Sequence, residues 1–337
     1  KGFDARLRCP DPVCLLKDEE MKIAVLQAPR GFEVMEEPIP EIAPDEVLLR
    51  VAACGVCTSE LDQWEGKASG LTYPRYIGHE VSGVVERAGA KVDSFQPGDR
   101  VGAWVTSRGF AEFVAVKAEY CFPAGNLPLD LALAEPLSCS VNAVEMANLS
   151  LSDDVVIIGA GFMGNLVQKL VQLKGPRHVI VADTRPDALE RAKKMGARRV
   201  VDVRDESLPQ VVKELTDGQG ADVSFEATGA QAPLTLLGDV TRMSGKVVIV
   251  GFHQGGMREL PLAYWNWMAF QIHNAHFREI STIMRGMRIG MRLLTSGRLT
   301  LDELVTHRFS LNEINQAFQT ACEKPEGFVK STVVMES

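Results

Sequence analysis

No apolar run in this 337-residue chain reaches the roughly eighteen residues that a bilayer-spanning helix needs, and no secretory hydrophobic region opens it, so no membrane partner is expected. A basic excess is also missing. Against 36 Lys and Arg stand 44 Asp and Glu, a net charge of -8, which argues against nucleic acid as a partner because phosphate binding needs a positive surface. A disulfide framework is absent too: seven cysteines, an odd number spread along a long chain, suit a reducing compartment, and the expected location is cytoplasmic. Repeats and low-complexity stretches do not occur. What is present is an ordinary globular composition, 46% hydrophobic and 24% charged, long enough for two domains with separate cores.

Residues 1–20, with Cys9-Pro-Asp-Pro-Val-Cys14 and Lys17-Asp-Glu-Glu20, read as a non-native or flexible extension before a natural start at Met21. Cys9 and Cys14 could bind a metal but lack a second ligand pair. From Met21 the chain shows short strand-like segments, Lys22 to Gln27, Glu46 to Ala53, His79 to Arg87, Arg100 to Val105 and Ala111 to Val116, punctuated by Gly and Pro. This part is expected to be β-rich and barrel-like. From about residue 150 the rhythm changes: Val155 to Ile158, Val179 to Ala182, Arg199 to Val201, Val223 to Glu226 and Lys246 to Val250 alternate with helical stretches at Asn165 to Leu173, Pro186 to Met195 and Leu208 to Leu215. Such alternation predicts an α/β fold with a doubly wound parallel sheet.

Two motifs carry chemistry. Cys57-Thr-Ser59-Glu60, followed by Gly78-His79-Glu80, offers a thiolate, an imidazole and carboxylates at a spacing compatible with zinc ligation. Gly159-Ala-Gly161-Phe162-Met163-Gly164 follows the apolar run Val155 to Ile158 and opens a helix, as the phosphate-binding turn of a dinucleotide domain does. There Gly159 would allow the tight bend, Gly161 the close approach of pyrophosphate, and Gly164 the packing of helix on sheet. Asp183, at the end of the next strand, could accept hydrogen bonds from ribose hydroxyls and repel a 2'-phosphate, which favours NAD over NADP; Arg185 is the one neighbour able to reverse that preference.

With these motifs in place the chain resembles the zinc-dependent medium-chain alcohol dehydrogenases, and within them the sorbitol (polyol) dehydrogenases, over about residues 21 to 337. The marks are Cys54-Gly-Val-Cys57-Thr-Ser59, Gly78-His-Glu80, Pro97-Gly-Asp-Arg-Val101, Glu135-Pro-Leu-Ser138, Gly159 to Gly164 and Val305-Thr-His-Arg-Phe309. The resemblance implies a GroES-like catalytic domain at 21–140 and 277–337 and a Rossmann NAD-binding domain at 141–276. It implies a catalytic zinc held by Cys57, His79, Glu80 and Glu135, with Cys54 a buried neighbour and Glu80 either a ligand or beside the metal. Ser59 would pass the alcohol's proton outward, with Asp62 at the outer end of that relay. The cofactor would lie against Gly159, Gly161, Phe162, Met163, Gly164, Asp183, Thr228, Val250, Gly251, Phe252 and Phe277.

Two departures from the pattern matter. The four-cysteine structural-zinc lobe is replaced by a short connection from Trp104 to Gly109, so one catalytic zinc per chain and no structural zinc is expected. Around the substrate, Gln63-Trp64 and Phe277-Arg278-Glu279 stand where sorbitol enzymes carry tyrosines at two places. Gln63, Trp64, Glu135 and Arg278 would then form a polar pocket for a polyol, cyclitol or sugar alcohol, because buried donors and acceptors penalise substrates without hydroxyls. The expected reaction is reversible hydride transfer between NAD and a secondary hydroxyl; the rival readings are a general secondary-alcohol dehydrogenase, a zinc-free reductase of the same superfamily, and a non-catalytic dinucleotide-binding protein. The partners expected are a small alcohol or ketone and further copies of the chain, as a dimer or tetramer. The aromatic run Tyr264-Trp265-Asn-Trp267-Met268 with Phe270 reads as core packing, a subunit interface or cleft lining being the alternatives.

Overall fold

The computed structural model describes residues 20–67, 70–254 and 256–335; Cys9 and Cys14, with the rest of the upstream extension, lie outside the described residues. The chain opens on a hairpin of Glu20–Ala28 (β1) and Gly31–Pro38 (β2). β2 has no counterpart in the sequence reading, since its glutamates at 33, 36 and 37 leave no continuous apolar pattern. Next come Glu46–Gly55 (β3), the short helix Thr58–Trp64 (α1), Glu80–Ala88 (β4), Arg100–Trp104 (β5), Phe113–Lys117 (β6) and Cys121–Pro123 (β7). The helix Ala134–Ala147 (α2) leads out of this β-rich part into Asp154–Ile158 (β8).

From β8 the elements alternate. Phe162–Gln172 (α3), His178–Asp183 (β9), Pro186–Lys194 (α4), Arg199–Asp202 (β10), Leu208–Leu215 (α5), Ala221–Glu226 (β11), Gln231–Val240 (α6), Thr241–Ile249 (β12), Leu262–Trp267 (α7) and Gln271–Asn274 (β13) follow in order. The strands assemble as β10-β9-β8-β11-β12-β13, every pair parallel. This is the strand order of a dinucleotide-binding sheet, whose crevice opens where the order reverses beside the first strand. All five residues of β8 are buried, as expected of a strand covered by helices on both faces.

After Ile280–Thr295 (α8) the chain turns back to the first sheet. His307–Ser310 (β14), Ile314–Glu323 (α9) and Ser331–Val334 (β15) complete it, and the seven-stranded sheet runs β14-β15-β3-β4-β5-β7, with β6 also on β3. β15 pairs antiparallel with β3, Val333 opposite Cys54 and Thr332 opposite Gly55. The residues just before β15 are thereby delivered to the end of β3, beside the Cys57 loop.

Helix α2 is held by close packing against α8. A Cβ at Gly286 would stand 2.6 Å from the Asn142 side-chain nitrogen, and one at Gly290 would stand 2.5 Å from Leu137 Cβ. Asn142 donates to the Thr282 carbonyl at 3.0 Å and Ser138 to the Ile283 carbonyl at 2.9 Å, which fixes the register of the two helices. Among the described residues no helix is long and apolar enough to cross a membrane.

The aromatic run near residue 265 divides. Trp265 is 1% exposed and packs edge-on against Phe270, whereas Tyr264 is 40% and Trp267 70% exposed, so core packing describes Trp265 alone.

Replacing Gly290 by Ala should lower the midpoint of thermal unfolding. The forced overlap with Leu137 costs about 1–3 kcal/mol, which exceeds the ~1 kcal/mol that alanine gains over glycine in a helix. An unchanged or higher midpoint in a melting experiment would contradict the close α2–α8 contact.

Candidate metal and cofactor site

Cys57 is extended and stands at the N-cap of α1, and three residues on Glu60 turns back toward it. Glu60 is 2% exposed, and its carboxylate gathers the two motifs that lie apart in sequence. Its Oε2 accepts the Cys57 N–H at 3.4 Å; its Oε1 accepts the Gly78 N–H at 2.7 Å and lies 2.7 Å from His79 Nδ1. An ionised carboxylate only accepts, so the imidazole proton sits on Nδ1 and Nε2 is left for a metal. Gly78 has φ +100, and a Cβ there would lie 2.8 Å from the Phe110 nitrogen, so the turn carrying His79 needs glycine.

Cys57, His79 and Glu80 each offer one ligand atom, all within 4.8 Å of one another. Burial alone would push the His79 pKa down, but Glu60 and Cys57 outweigh it and hold the imidazole well above its usual range, so a metal at Nε2 would have to displace a proton there. Glu80 is 1% exposed, and its Oε2 accepts no hydrogen bond although Lys330 Nζ stands 2.6 Å away. Lys330, itself 5% exposed, donates to Glu80 Oε1 at 2.8 Å. A Cβ on Gly55 would fall 2.1 Å from Glu80 Oε2, so glycine is what lets the carboxylate lie across the end of β3.

Glu135 enters from the first turn of α2. Burial pushes its carboxyl up to about 7, with His79 pulling it down and Glu80 pushing it further up, so it belongs to the same electrostatic neighbourhood. One helical turn on, Cys139 is pushed well above the usual thiol range by burial and by the charges of Glu135, Cys57 and Glu80, which keeps it a neutral thiol. The thiolate, imidazole and oxygen donors are a set that zinc accepts, and a buried group of acids with one lysine has the charge deficit that a divalent cation offsets. The residues present therefore fit the metal.

The remaining sequence-derived positions fall into two groups. Ser59 donates to Cys57 Sγ at 3.2 Å and so faces the cluster. Asp62 is half-buried, and its charge acts on Lys67 rather than on a partner in the cluster. Gln63 is bound through Oε1 to Arg75 at 3.1 Å. Trp64 is 2% exposed, its ring 5.9 Å from that of Phe318 on α9 and capped by Arg30. Arg278 is exposed and donates to the carbonyl of its own neighbour Phe277 at 3.0 Å.

The cofactor positions gather at the C-terminal ends of the parallel strands. Gly159 takes φ +106 after β8; Gly161 caps α3 with open space where a Cβ would be; a Cβ on Gly164 would meet the Gly159 carbonyl at 1.7 Å. Asp183 Oδ2 accepts the Ala160 N–H at 2.7 Å and so ties the end of β9 to this turn. Phe162 and Met163 begin α3, Thr228 follows β11, Val250 to Phe252 follow β12, and Phe277 follows β13. Phe162 also reaches the metal cluster: Lys330 Nζ lies 4.7 Å from the centre of its ring.

Sequence reasoning gave Glu60 no role of its own and missed Lys330 and Cys139. Glu60 had a signal, an acid three residues after a helix-capping position, whereas Lys330 had none.

Residues 163–292 match the family profile described as Zinc-binding dehydrogenase, and residues 43–126 match the Alcohol dehydrogenase GroES-like domain. Sorbitol dehydrogenase of Bacillus subtilis (strain 168) is 28% identical over 338 residues, covering 90% of this chain and 94% of its own. L-threonine 3-dehydrogenase of Anaeromyxobacter dehalogenans is 30% identical over 319 residues, covering 83% and 89%. Among solved structures, 2R,3R-butanediol dehydrogenase from Bacillus subtilis is 25% identical with a TM-score of 0.82, over 93% of this chain and 99% of that one. The chain belongs to the zinc-dependent medium-chain alcohol dehydrogenases, with the GroES-like and Rossmann folds of that family. It is an oxidoreductase of small alcohols that works with zinc and a nicotinamide cofactor.

Substituting Glu60 with Gln keeps its shape but removes the charge that orients His79. Zinc affinity, measured by chelator competition, should fall about 10- to 100-fold, the usual effect of losing such a partner; an unchanged affinity would show that Glu60 does not set the ligand.

Proposed function

We propose that this protein interconverts a secondary hydroxyl and a ketone on a polyol, cyclitol or sugar alcohol, with NAD as the hydride partner and one zinc per chain. The observation that carries this reading is the cluster of Cys57, His79 and Glu80 donor atoms within 4.8 Å. Cys57, His79 and Glu80 would hold the ion, and Glu135 would face it as the further donor, directly or through water. When bound, zinc supplies the Lewis acidity that lets an alcohol lose its proton near neutral pH. Ser59, hydrogen-bonded to the Cys57 sulfur, is placed to accept that proton and pass it outward. Glu60 keeps His79 in one tautomer while this happens, and Lys330 balances Glu80.

The relatives named sorbitol and 2R,3R-butanediol dehydrogenase support a hydroxyl-rich substrate, and the polar side chains of Gln63, Glu135 and Arg278 agree with one. We assign the catalytic domain to 21–140 and 277–337 and the cofactor domain to 141–276. NAD is favoured because Asp183 closes β9 and because Arg185, the residue able to greet a 2'-phosphate, is turned away: its guanidinium donates to the Phe328 carbonyl at 3.0 Å and lies 3.7 Å from Asp187. Self-association is supported by the sheet's edge at β13, where Ile272 is 44% exposed, with Trp267 70% exposed on the adjoining α7.

Cys57→Ser should lose its zinc and its turnover while retaining NADH binding. Metal analysis and NADH titration of one sample, beside an NAD-linked oxidation screen over polyols, cyclitols and simple secondary alcohols, checks this; full turnover from zinc-free protein would refute the mechanism. Asp183→Ala should lower the NADP KM about tenfold or more by removing a repulsive carboxylate, and no change in the NAD-to-NADP ratio would remove Asp183 from cofactor choice.

A further inference from the structure

A second buried carboxylate–imidazole pair lies outside the metal cluster. Glu226, at the end of β11, has no exposed surface. Its Oε1 accepts the N–H groups of Thr228 and Gly229, the latter at 2.8 Å, and the Thr228 hydroxyl. Its Oε2 lies 2.8 Å from His253 Nε2. Because a carboxylate only accepts, the His253 proton is on Nε2 and Nδ1 is an acceptor, a role that Arg258 satisfies by donating its Nε–H at 3.2 Å. Arg258 also donates to the Gln254 carbonyl at 2.7 Å. The result is a continuous chain, Glu226–His253–Arg258, from the sheet interior to the surface.

That chain holds one stretch of backbone. The N–H groups of Val250 and Gly251 donate to the Glu226 carbonyl at 2.8 and 2.9 Å, so Glu226 grips the exit of β12 through its main chain and, two residues later, through His253. Only glycine fits at 251, where a Cβ would lie 2.2 Å from the Gly229 nitrogen and 2.5 Å from Glu226 Oε2. On the far side His276 Nε2 lies 3.1 Å from the Gly251 carbonyl, and its ring is 5.4 Å from that of Phe252. Burying a carboxylate is costly unless its partners are in place; here one oxygen is held by the Thr228–Gly229 turn and the other by His253, just after Val250 to Phe252.

We infer that His253 is a positioning residue for the nicotinamide half of the cofactor: through Glu226 and Arg258 it fixes the Val250–Phe252 backbone as one wall of the crevice. It acts through that wall and touches neither cofactor nor substrate. The inference rests on the proposed reading of Val250, Gly251 and Phe252 as cofactor contacts: with the ribose at Asp183 on β9 and the pyrophosphate at the glycine turn after β8, the exit of β12 lies on the opposite, nicotinamide side of that turn.

The test compares NADH with ADP-ribose, which lacks the nicotinamide. Both are titrated into the zinc-loaded wild type and its His253→Ala, His253→Gln and Arg258→Ala variants, with thermal melts alongside. His253→Ala should weaken NADH about tenfold, the effect of losing a hydrogen bond to a charged group, while ADP-ribose changes by less than about twofold. Its KM for NAD should rise more than its kcat falls. His253→Gln, which retains an N–H donor toward Glu226, should recover most of the NADH affinity. Arg258→Ala leaves the buried pair intact and should show a smaller loss with the same selectivity, and it serves as the test if His253→Ala does not fold. Equal weakening of both ligands, or no weakening of NADH, overturns the positioning role. A wild type that binds ADP-ribose as tightly as NADH instead overturns the assignment of the wall itself.

Discussion

Buried negative charge in excess of positive charge is the constraint around which the first sheet is arranged. Cys57, Glu60, Glu80 and Glu135 share one poorly solvated region, where buried acids need cations or hydrogen-bond donors to offset their charge. The chain meets part of this need itself. Because β15 closes onto β3, Lys330 arrives beside Glu80 from the far end of the sequence and is held there, 5% exposed, between that carboxylate and the Phe162 ring. The rest of the deficit is what makes the cluster suitable for a divalent metal, and the raised Glu135 carboxyl is its sign.

The same constraint explains why small residues occupy otherwise unremarkable positions. Gly55 leaves room for the Glu80 carboxylate, Gly78 turns the chain so that His79 meets Glu60, and Gly286 and Gly290 let α8 press on α2 so that Glu135 enters at a fixed depth. Lys330 then connects this arrangement to the dinucleotide turn, since the ring it lies on is the first residue of α3. The proposed metal ligands and the proposed phosphate-binding turn are therefore joined by one buried cation, Lys330, between Glu80 and Phe162.

Much of this was legible in the sequence, and the parts that were share a property. The glycine turn, Asp183, Cys57 and His79 each belong to short runs whose residue types have one economical explanation, and the alternation of Val/Ile runs with helical stretches gave the parallel sheet directly. The packing of Trp64 was not legible, because its ring partner Phe318 stands on α9, far along the chain. β2 was invisible because its buried side is only Phe32 and Val34 among glutamates, too little alternation to advertise a strand. Lys330 could not be seen because its meaning lies entirely in a partner 250 residues away, reached only when β15 pairs with β3.

The Glu60–His79 and Glu226–His253 pairs show how one local device serves different ends. Glu60 accepts a hydrogen bond from His79 Nδ1, and Nε2 is the nitrogen left to face the Cys57 and Glu80 donors. Glu226 takes the Nε2 proton of His253, and the nitrogen that remains is already capped by Arg258. A guanidinium at that place excludes a metal by charge and uses up the only lone pair the ring could offer. On the roles proposed for His79 and His253, what distinguishes a ligand histidine from a positioning histidine is therefore not burial, nor the acid beside it, but which group meets the second nitrogen: a thiol and a carboxyl group in one case, a guanidinium in the other.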